Sequence, residues 1–419
     1  MLRRTLALAL LFAATPASAF TPEEVTAAAA VAREVEADVT QLAADALEGR
    51  GSGTPGGAAA RELLIDELEQ IGPGLDTAAS GREAYQQPFD GVRTNLLAVI
   101  PGGARADEFV IVGAHYDHIP PGGCTNLGDA ICNGATDNAA GVAVVLAIGR
   151  ALRALPAPPE RSVVLALWDG EEIGLLGSSH FVAHPLVPLA DVVSYVNFDI
   201  QGANLMPSVR ELSFAIGTET GGALLTSLTS AAIDAVGLDT RLLSVVFGQL
   251  RSDYVGFHVG GVPIVFFSDA TNACYHTSRD DLAVVDVRKL ARQAEIGFRL
   301  VLGLAEDEQR PVLTPPTALT TFDDLLAISD VLTRSLADLD HVSPGYRDQL
   351  VALEAQARGN VGEGPEALDE TETIAIATGA MEITTYGFPC DPQLLPEPGG
   401  GASAVLAALA LAACARRGR

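Results

Sequence analysis

The sequence predicts an α/β fold with a mixed, mostly parallel central sheet flanked by helices, followed by a helical C-terminal extension. Three observations carry that expectation. Short apolar, β-branched runs bounded by turn residues alternate with longer amphipathic stretches, the strand–helix–strand signature. Those runs are continuous rather than polar at every second residue, as in strands covered on both faces. Beyond Arg310-Pro311 the alternation stops and only helical periodicity remains.

The elements follow in order. Residues 21–48 are Ala-rich and read as helix, 49–56 (GRGSGTPG) as a loop, and 58–71 as a helix with Leu63, Leu64 and Leu68 on one face. Gly51, Gly53 and Gly56 have the spacing of a dinucleotide loop, but no strand precedes them and no acidic residue is placed for a ribose, so the loop reads as a turn into the next helix. Strands are expected over 95–100, 109–115, 162–168, 192–198, 212–216 and 262–267. Helices are expected over 138–155, 174–183, 222–236 and 287–304. The extension, 311–390, has helical patterns over 322–339 and 346–357 and an acidic run over 363–372, and reads as a helical extension or spacer with no visible chemistry. The unit that could carry chemistry is therefore 20–310.

Composition narrows the partners. A formal charge of −27 argues against nucleic acid and anionic membrane. Lys289 is the single lysine, which fits a composition biased to Ala, Leu, Gly and Arg. Five cysteines suit an oxidising compartment. Cys124 and Cys132 flank a short loop and are the expected disulfide; Cys274 and Cys390 pair or stay free. Arg3 and Arg4, an apolar run over 5–14 and Ala17-Ser18-Ala19 form the pattern of an export signal over 1–19. At the other end, 391–419, Pro396-Glu397-Pro398 and three glycines precede an apolar stretch over 402–415 and Arg416, Arg417 and Arg419. This tail resembles PEP-CTERM sorting tails, which implies an exported chain (periplasm, outer surface or secreted, or tethered through the tail) and a membrane transpeptidase as partner.

The chemistry lies where acids and histidines fall. Gly113-Ala114-His115-Tyr116-Asp117, Asp169-Gly170-Glu171-Glu172 and Asn197-Phe198-Asp199 each end a predicted strand, and Cys274-Tyr275-His276 follows a fourth. Thr136-Asp137-Asn138 opens a helix. Functional residues in open α/β sheets gather at the carboxyl ends of strands. Apolar strands ending repeatedly in His or carboxylate need a reason, because unpaired buried charge is costly. Metal ions remove that cost, and imidazole with carboxylate suits zinc. Two ions require two histidines and at least three carboxylates, one shared. His115, His276, Asp137, Glu172 and Asp199 meet that count and leave Glu171 beside a ligand, where a general base belongs.

The ordered set H-x-D, D-N, E-E, N-F-D and Y-H resembles the zinc metallopeptidases typified by secreted bacterial leucyl aminopeptidases, with glutamate carboxypeptidase and animal glutaminyl cyclases as distant relatives. The resemblance runs from about Leu42 to Leu304 and includes Glu48-Gly49-Arg50, Ser252-Asp253 and Gly261-Val262-Pro263. It implies a zinc-exopeptidase-like sheet, two zinc ions and peptide substrates. Asp137 would bridge the ions, His115 and Asp199 would complete one position, and Glu172 and His276 the other. Asp117 would accept a hydrogen bond from the free nitrogen of His115. Glu171 would shuttle the proton and Tyr275 would donate to the oxyanion. His118, His180, His184 and His258 match no ligand position and are expected at the surface or behind the ligands; His341 is expected at the surface. Within the same fold the alternatives are a one-zinc glutaminyl cyclase and a carboxypeptidase, for which Arg251 and Arg279 are candidate partners of a substrate carboxylate. Outside enzymes, the alternative is an inactive binding protein, which the complete ligand set disfavours.

Overall fold

The computed structural model describes residues 21–394; the expected export signal and the sorting tail from 395 onward lie outside the described residues. The chain runs α1 (Pro22–Leu42), α2 (Pro55–Ile71), β1 (Gln86–Phe89), β2 (Arg93–Ile100), β3 (Arg105–His115), α3 (Ala140–Arg153), β4 (Arg161–Trp168), α4 (Leu176–Ala183), β5 (Val192–Phe198) and β6 (Ser213–Ile216). It continues through α5 (Gly222–Val236), β7 (Thr240–Leu243), α6 (Tyr254–Val259), β8 (Ile264–Ser268), α7 (Val287–Glu306), α8 (Phe322–Ser335), α9 (Pro344–Glu363) and α10 (Glu370–Glu382).

The strands form one sheet in the order β1-β2-β4-β3-β5-β8-β6-β7. Its centre, β4-β3-β5-β8, is parallel throughout, so four strands end on one edge. The continuous apolar runs are explained by helices on both faces. Val110, Val112 and Ala114 of β3 and Val163, Leu165 and Leu167 of β4 share a core with α1, α2, α3 and α7. Their neighbours Ile111, Val164, Ala166 and Trp168 pack on the other face with Phe181 of α4 and Phe257 of α6. This is period-two alternation with both halves apolar.

The expected α/β architecture is present, and the differences have physical reasons. Strands β1 and β7, unread in the sequence, are the two edges of the sheet. An edge strand pairs on one side only, so it tolerates Pro88 and Gln86 or the half-exposed Thr240 and Arg241. The helix expected from 138 begins at Ala140, because Asp137 has non-helical φ −120°, ψ 89° and sits in the turn before it.

The C-terminal helices pack onto the α/β unit. Leu325, Ile328 and Leu332 of α8, Leu350 of α9 and Ile376 of α10 share an apolar core with Leu205, Met206, Val209, Leu212 and Cys274. The acidic run over 363–372 starts a helix: the Asp369 side chain accepts from Glu372 N at 3.0 Å, and Glu370 and Glu372 stand in the first turn of α10, where negative charge favours the helix. Ser244 Oγ donates to Asp324 Oδ2 at 2.7 Å, and a Cys274–Cys390 disulfide closes the other end of the contact. The single lysine is buried: Lys289 Nζ stands 3.0 Å from Asp269 Oδ1 and donates to Ala203 O at 2.6 Å, tying α7 to the end of β8.

Candidate metal centre

His115 is the last residue of β3, Asp169 to Glu172 follow β4, and Asp199 follows β5. Pairing of His115 with Trp168, of Gly113 with Asn197 and of Phe198 with Phe267 sets these strand ends side by side. The loop after β8 brings in Tyr275 and His276, and the turn before α3 brings in Asp137. Gly134 opens that turn at φ +57°, and any Cβ there would collide with the His118 ring and the Asp137 carbonyl, so glycine is required.

One carboxylate stands at the middle. Asp137 Oδ1 is 3.4 Å from His115 Nε2, and Asp137 Oδ2 is 3.2 Å from His276 Nε2. Asp199 Oδ1 is 3.2 Å from His115 Nε2, and Glu172 Oε2 is 3.1 Å from His276 Nε2. The structure therefore brings together all five expected ligands in two halves that share Asp137. His115, Asp137 and Asp199 are nearly fully buried.

The donor set fits cations at both positions. His115 Nδ1 lies 3.0 Å from the Asp117 carbonyl, which can only accept, so Nδ1 carries the hydrogen and the bare Nε2 faces two carboxylates. His276 Nε2 is buried between carboxylate oxygens without the geometry of a hydrogen bond to either. With the rings neutral, a lone pair meets carboxylate lone pairs in both places, an arrangement that either a proton or an ion between them satisfies. The electrostatics agree. Burial works against the His276 imidazolium, yet Asp137 and Glu172 raise its pKa to about 10. Burial likewise opposes protonation of His115, and the charges of Asp199 and Glu171 outweigh it. Burial raises the Glu171 carboxyl well above its ordinary range, opposed by His115 and reinforced by Asp199.

One sequence expectation changes and another is narrowed. Asp117 orients His115 through its backbone carbonyl; its carboxylate Oδ1 is 3.8 Å from Nδ1 and instead accepts from Glu171 N at 3.1 Å, so it holds the Glu-Glu turn. Burial raises this carboxyl to about 7, against the pull of His115. Of the two places expected for His118, the structure shows the one behind the ligands. This histidine is buried, its Nδ1 is 2.6 Å from Glu172 Oε1 and 3.8 Å from Asp137 Oδ2, and with those two acids it forms a further group of possible ligand geometry. His180, His184 and His258 are partly or fully exposed and stand apart from the cluster.

Sequence reading missed the supports. Asp280 Oδ1 accepts from Thr136 N and Oγ1, both at 2.8 Å, and its Oδ2 accepts from Asp137 N at 3.0 Å, clamping the central turn. Asp169 accepts from Ser52 Oγ at 2.7 Å, Thr94 N at 3.0 Å and Tyr116 Oη at 3.0 Å, tying the Gly-rich loop to the Glu-Glu turn. Arg50, at the end of the Glu48-Gly49-Arg50 stretch, is fully buried and donates to the carbonyls of Tyr116, Leu42, Asn133 and Gly134 at 2.7–3.0 Å. Burial lowers its pKa to about 10, opposed by Asp280 and Asp137.

A cleft of about 590 Å³ opens onto Asp137, Glu171 and Asp199. Tyr275 lines it, with its ring stacked on His276 at 3.8 Å, and so do Phe214, Ile216, Phe247, Phe266 and Arg251. Of the two arginines expected to meet a carboxylate, Arg279 is taken up by the carbonyls of Leu127 and Cys390 at 3.2 and 3.0 Å.

Known proteins are similar to this arrangement. Aminopeptidase YwaD of Bacillus subtilis is 27% identical over 219 residues, covering 50% of this chain and 44% of that protein. The Arabidopsis thaliana protein named "Probable glutamate carboxypeptidase AMP1" is 28% identical over 302 residues, covering 66% and 39%. The chain thus spans less than half the length of these relatives. The crystal structure of Legionella pneumophila LapA aminopeptidase aligns with a TM-score of 0.56 at 18% identity, over 74% of this chain and 80% of that one, a likeness of fold. Residues 95–301, which carry every expected ligand, match Peptidase family M28.

Proposed function

We propose that the chain is a two-zinc aminopeptidase that hydrolyses the first peptide bond of peptides with a free N-terminus. The observation that carries this is the Asp137 carboxylate, whose two oxygens face His115 and His276, each half completed by a further acid. When bound, zinc would supply Lewis-acid chemistry, polarising the scissile carbonyl and acidifying the attacking water. His115, Asp137 and Asp199 would hold one ion, and Asp137, Glu172 and His276 the other. Glu171 stands beside a ligand without belonging to the five, and its raised pKa suits a group that takes a proton from water and returns it to the leaving amine. Tyr275, in the cleft wall, would donate to the developing oxyanion. Asp199 and Glu171 line the cleft where a protonated α-amine would lie, and the aromatic wall favours an apolar first side chain.

Arg251 in the cleft keeps a carboxypeptidase as the second reading. Peptides with free and acetylated N-termini separate the two: acetylation is expected to stop cleavage, whereas unchanged cleavage or loss of C-terminal residues overturns the aminopeptidase. Elemental analysis of the purified chain should give two zinc per chain; one points to a cyclase and none to a binding protein. We also propose that the chain is exported and its tail processed. Two disulfides, Cys124–Cys132 and Cys274–Cys390, support an oxidising compartment, and N-terminal and C-terminal mass spectrometry of the native protein tests it.

A further inference from the structure

The cleft does not end at the metal centre. A second cavity adjoins it and shares six lining residues with it: Phe214, Ile216, Phe247, Gln249, Ala270 and Met381. No charged side chain lines the second cavity. Half of its lining residues come from the C-terminal segment that begins with α8, among them Leu332 of α8 and Ala377 of α10. Met381, near the end of α10, touches both cavities.

The helices that build this far wall are fastened around it. Asp324 at the start of α8 accepts from Ser244 N and Oγ at 2.8 and 2.7 Å. Beyond α10, Thr384 Oγ1 donates to Thr271 O at 2.9 Å, Thr385 Oγ1 lies 2.6 Å from Thr271 Oγ1, and Cys390 is bonded to Cys274, two residues before His276.

We infer that the C-terminal helices form a distal chamber of the substrate cleft, and that Met381 decides how long an apolar side chain the chamber admits. The inference rests on the aminopeptidase reading and adds the occupant: an unbranched or aromatic side chain longer than leucine, on the residue whose α-amine meets the acids. Continuity with the acid cluster picks out that occupant, since a chain anchored at Asp199 and Glu171 has this apolar space ahead of it. The uncharged lining excludes charged side chains, because none of its residues would pair a buried charge. Methionine is unbranched and flexible, and so suits a wall that adapts to its occupant.

Two measurements on the full-length, zinc-loaded protein test this. The first is the ratio of kcat/KM for 2-aminooctanoyl-alanine to that for alanyl-alanine. Met381→Ala is expected to raise it about tenfold and Met381→Phe to lower it about tenfold. The second is calorimetric binding of n-alkylamines from butyl to decyl. Each added methylene should tighten binding by up to about fourfold while the chain fills the chamber, and Met381→Phe should end that gain at shorter chains. Ratios within twofold of the parent for both variants, with affinity independent of chain length, overturn the chamber. If no peptide is cleaved but the amine series holds, the aminopeptidase reading fails and the chamber stands.

Discussion

The carboxyl edge of the sheet and the C-terminal helices build the two halves of one cleft by opposite means. At the sheet edge, His115, Glu172 and Asp199 follow apolar strands, where charge is costly and stands out against its surroundings. In the helices, Leu332, Ala377 and Met381 are ordinary residues for a buried helix face, and nothing marks them as pocket wall. Chemistry that needs rare residues at fixed places shows in a sequence. Shape assembled from common ones becomes visible only when the chain is folded.

The sheet-edge half is open to the sharpest test. Glu171→Gln should retain zinc and lose at least about a hundredfold in kcat, because an amide cannot carry the proton. Zinc content and turnover measured on the same preparation decide it: full metal with a tenth or more of the parent activity removes Glu171 from the role. The chelated parent protein should be equally inactive and should recover on zinc addition.

The next effect separates the edge from its foundations. Arg50 holds four backbone carbonyls, three on the loops that carry Asp117 and Asp137 and one at the end of α1. Arg50→Met would leave those carbonyls buried without donors, at about 1–3 kcal/mol for each that water does not reach. A loss of about 4 kcal/mol in urea unfolding, with reduced zinc occupancy, is expected. A change under about 1 kcal/mol would show that water replaces the guanidinium and that the cage is incidental.

These tests mark how far the sequence could be read. The mostly parallel α/β architecture and the residues gathered at its carboxyl edge were legible, because strands covered on both faces leave continuous apolar runs and their polar ends break them. The edge strands β1 and β7 were not, since partial exposure permits Pro88 and Arg241. The supports Arg50 and Asp280 act by holding backbone groups of distant loops, which residue spacing does not encode. His118 looked like a spare histidine because its partner Glu172 is 54 positions away.

The disulfides compare the two halves directly. Cys274–Cys390 closes 116 positions and Cys124–Cys132 closes 8. Chain entropy alone assigns the longer loop about 5 kcal/mol and the shorter about 2.5 kcal/mol, with typical measured values of about 2–4 kcal/mol. Cys390→Ser should therefore destabilise more than Cys132→Ser, and it should also weaken cleavage of long apolar substrates by loosening the helices near Met381. Equal losses of stability, with unchanged substrate preference, would mean that the helices hold their place without the bond.

The smallest expected effect concerns His118, which belongs to neither the five expected ligands nor the surface. Its Nδ1 is 2.6 Å from Glu172 Oε1, while Glu172 Oε2 is turned 3.1 Å from His276 Nε2. A histidine bonded to one carboxylate oxygen leaves the other oxygen to the ion, so Glu172 would bind through a single atom. Groups that hold a ligand from behind typically contribute tenfold to a hundredfold in metal affinity. His118→Leu should therefore weaken zinc binding at the Glu172–His276 position by that factor and leave the His115–Asp199 position closer to the parent, since His118 makes no bond to either of those residues. Competition with a chromophoric chelator, resolving two successive dissociation constants, measures both. His118→Gln, which can still donate to Glu172, should recover part of the loss. If His118→Leu instead removes the ion completely while the Asp137 turn stays folded, His118 is a ligand in its own right, and the group it forms with Asp137 and Glu172 replaces the position assigned here to His276.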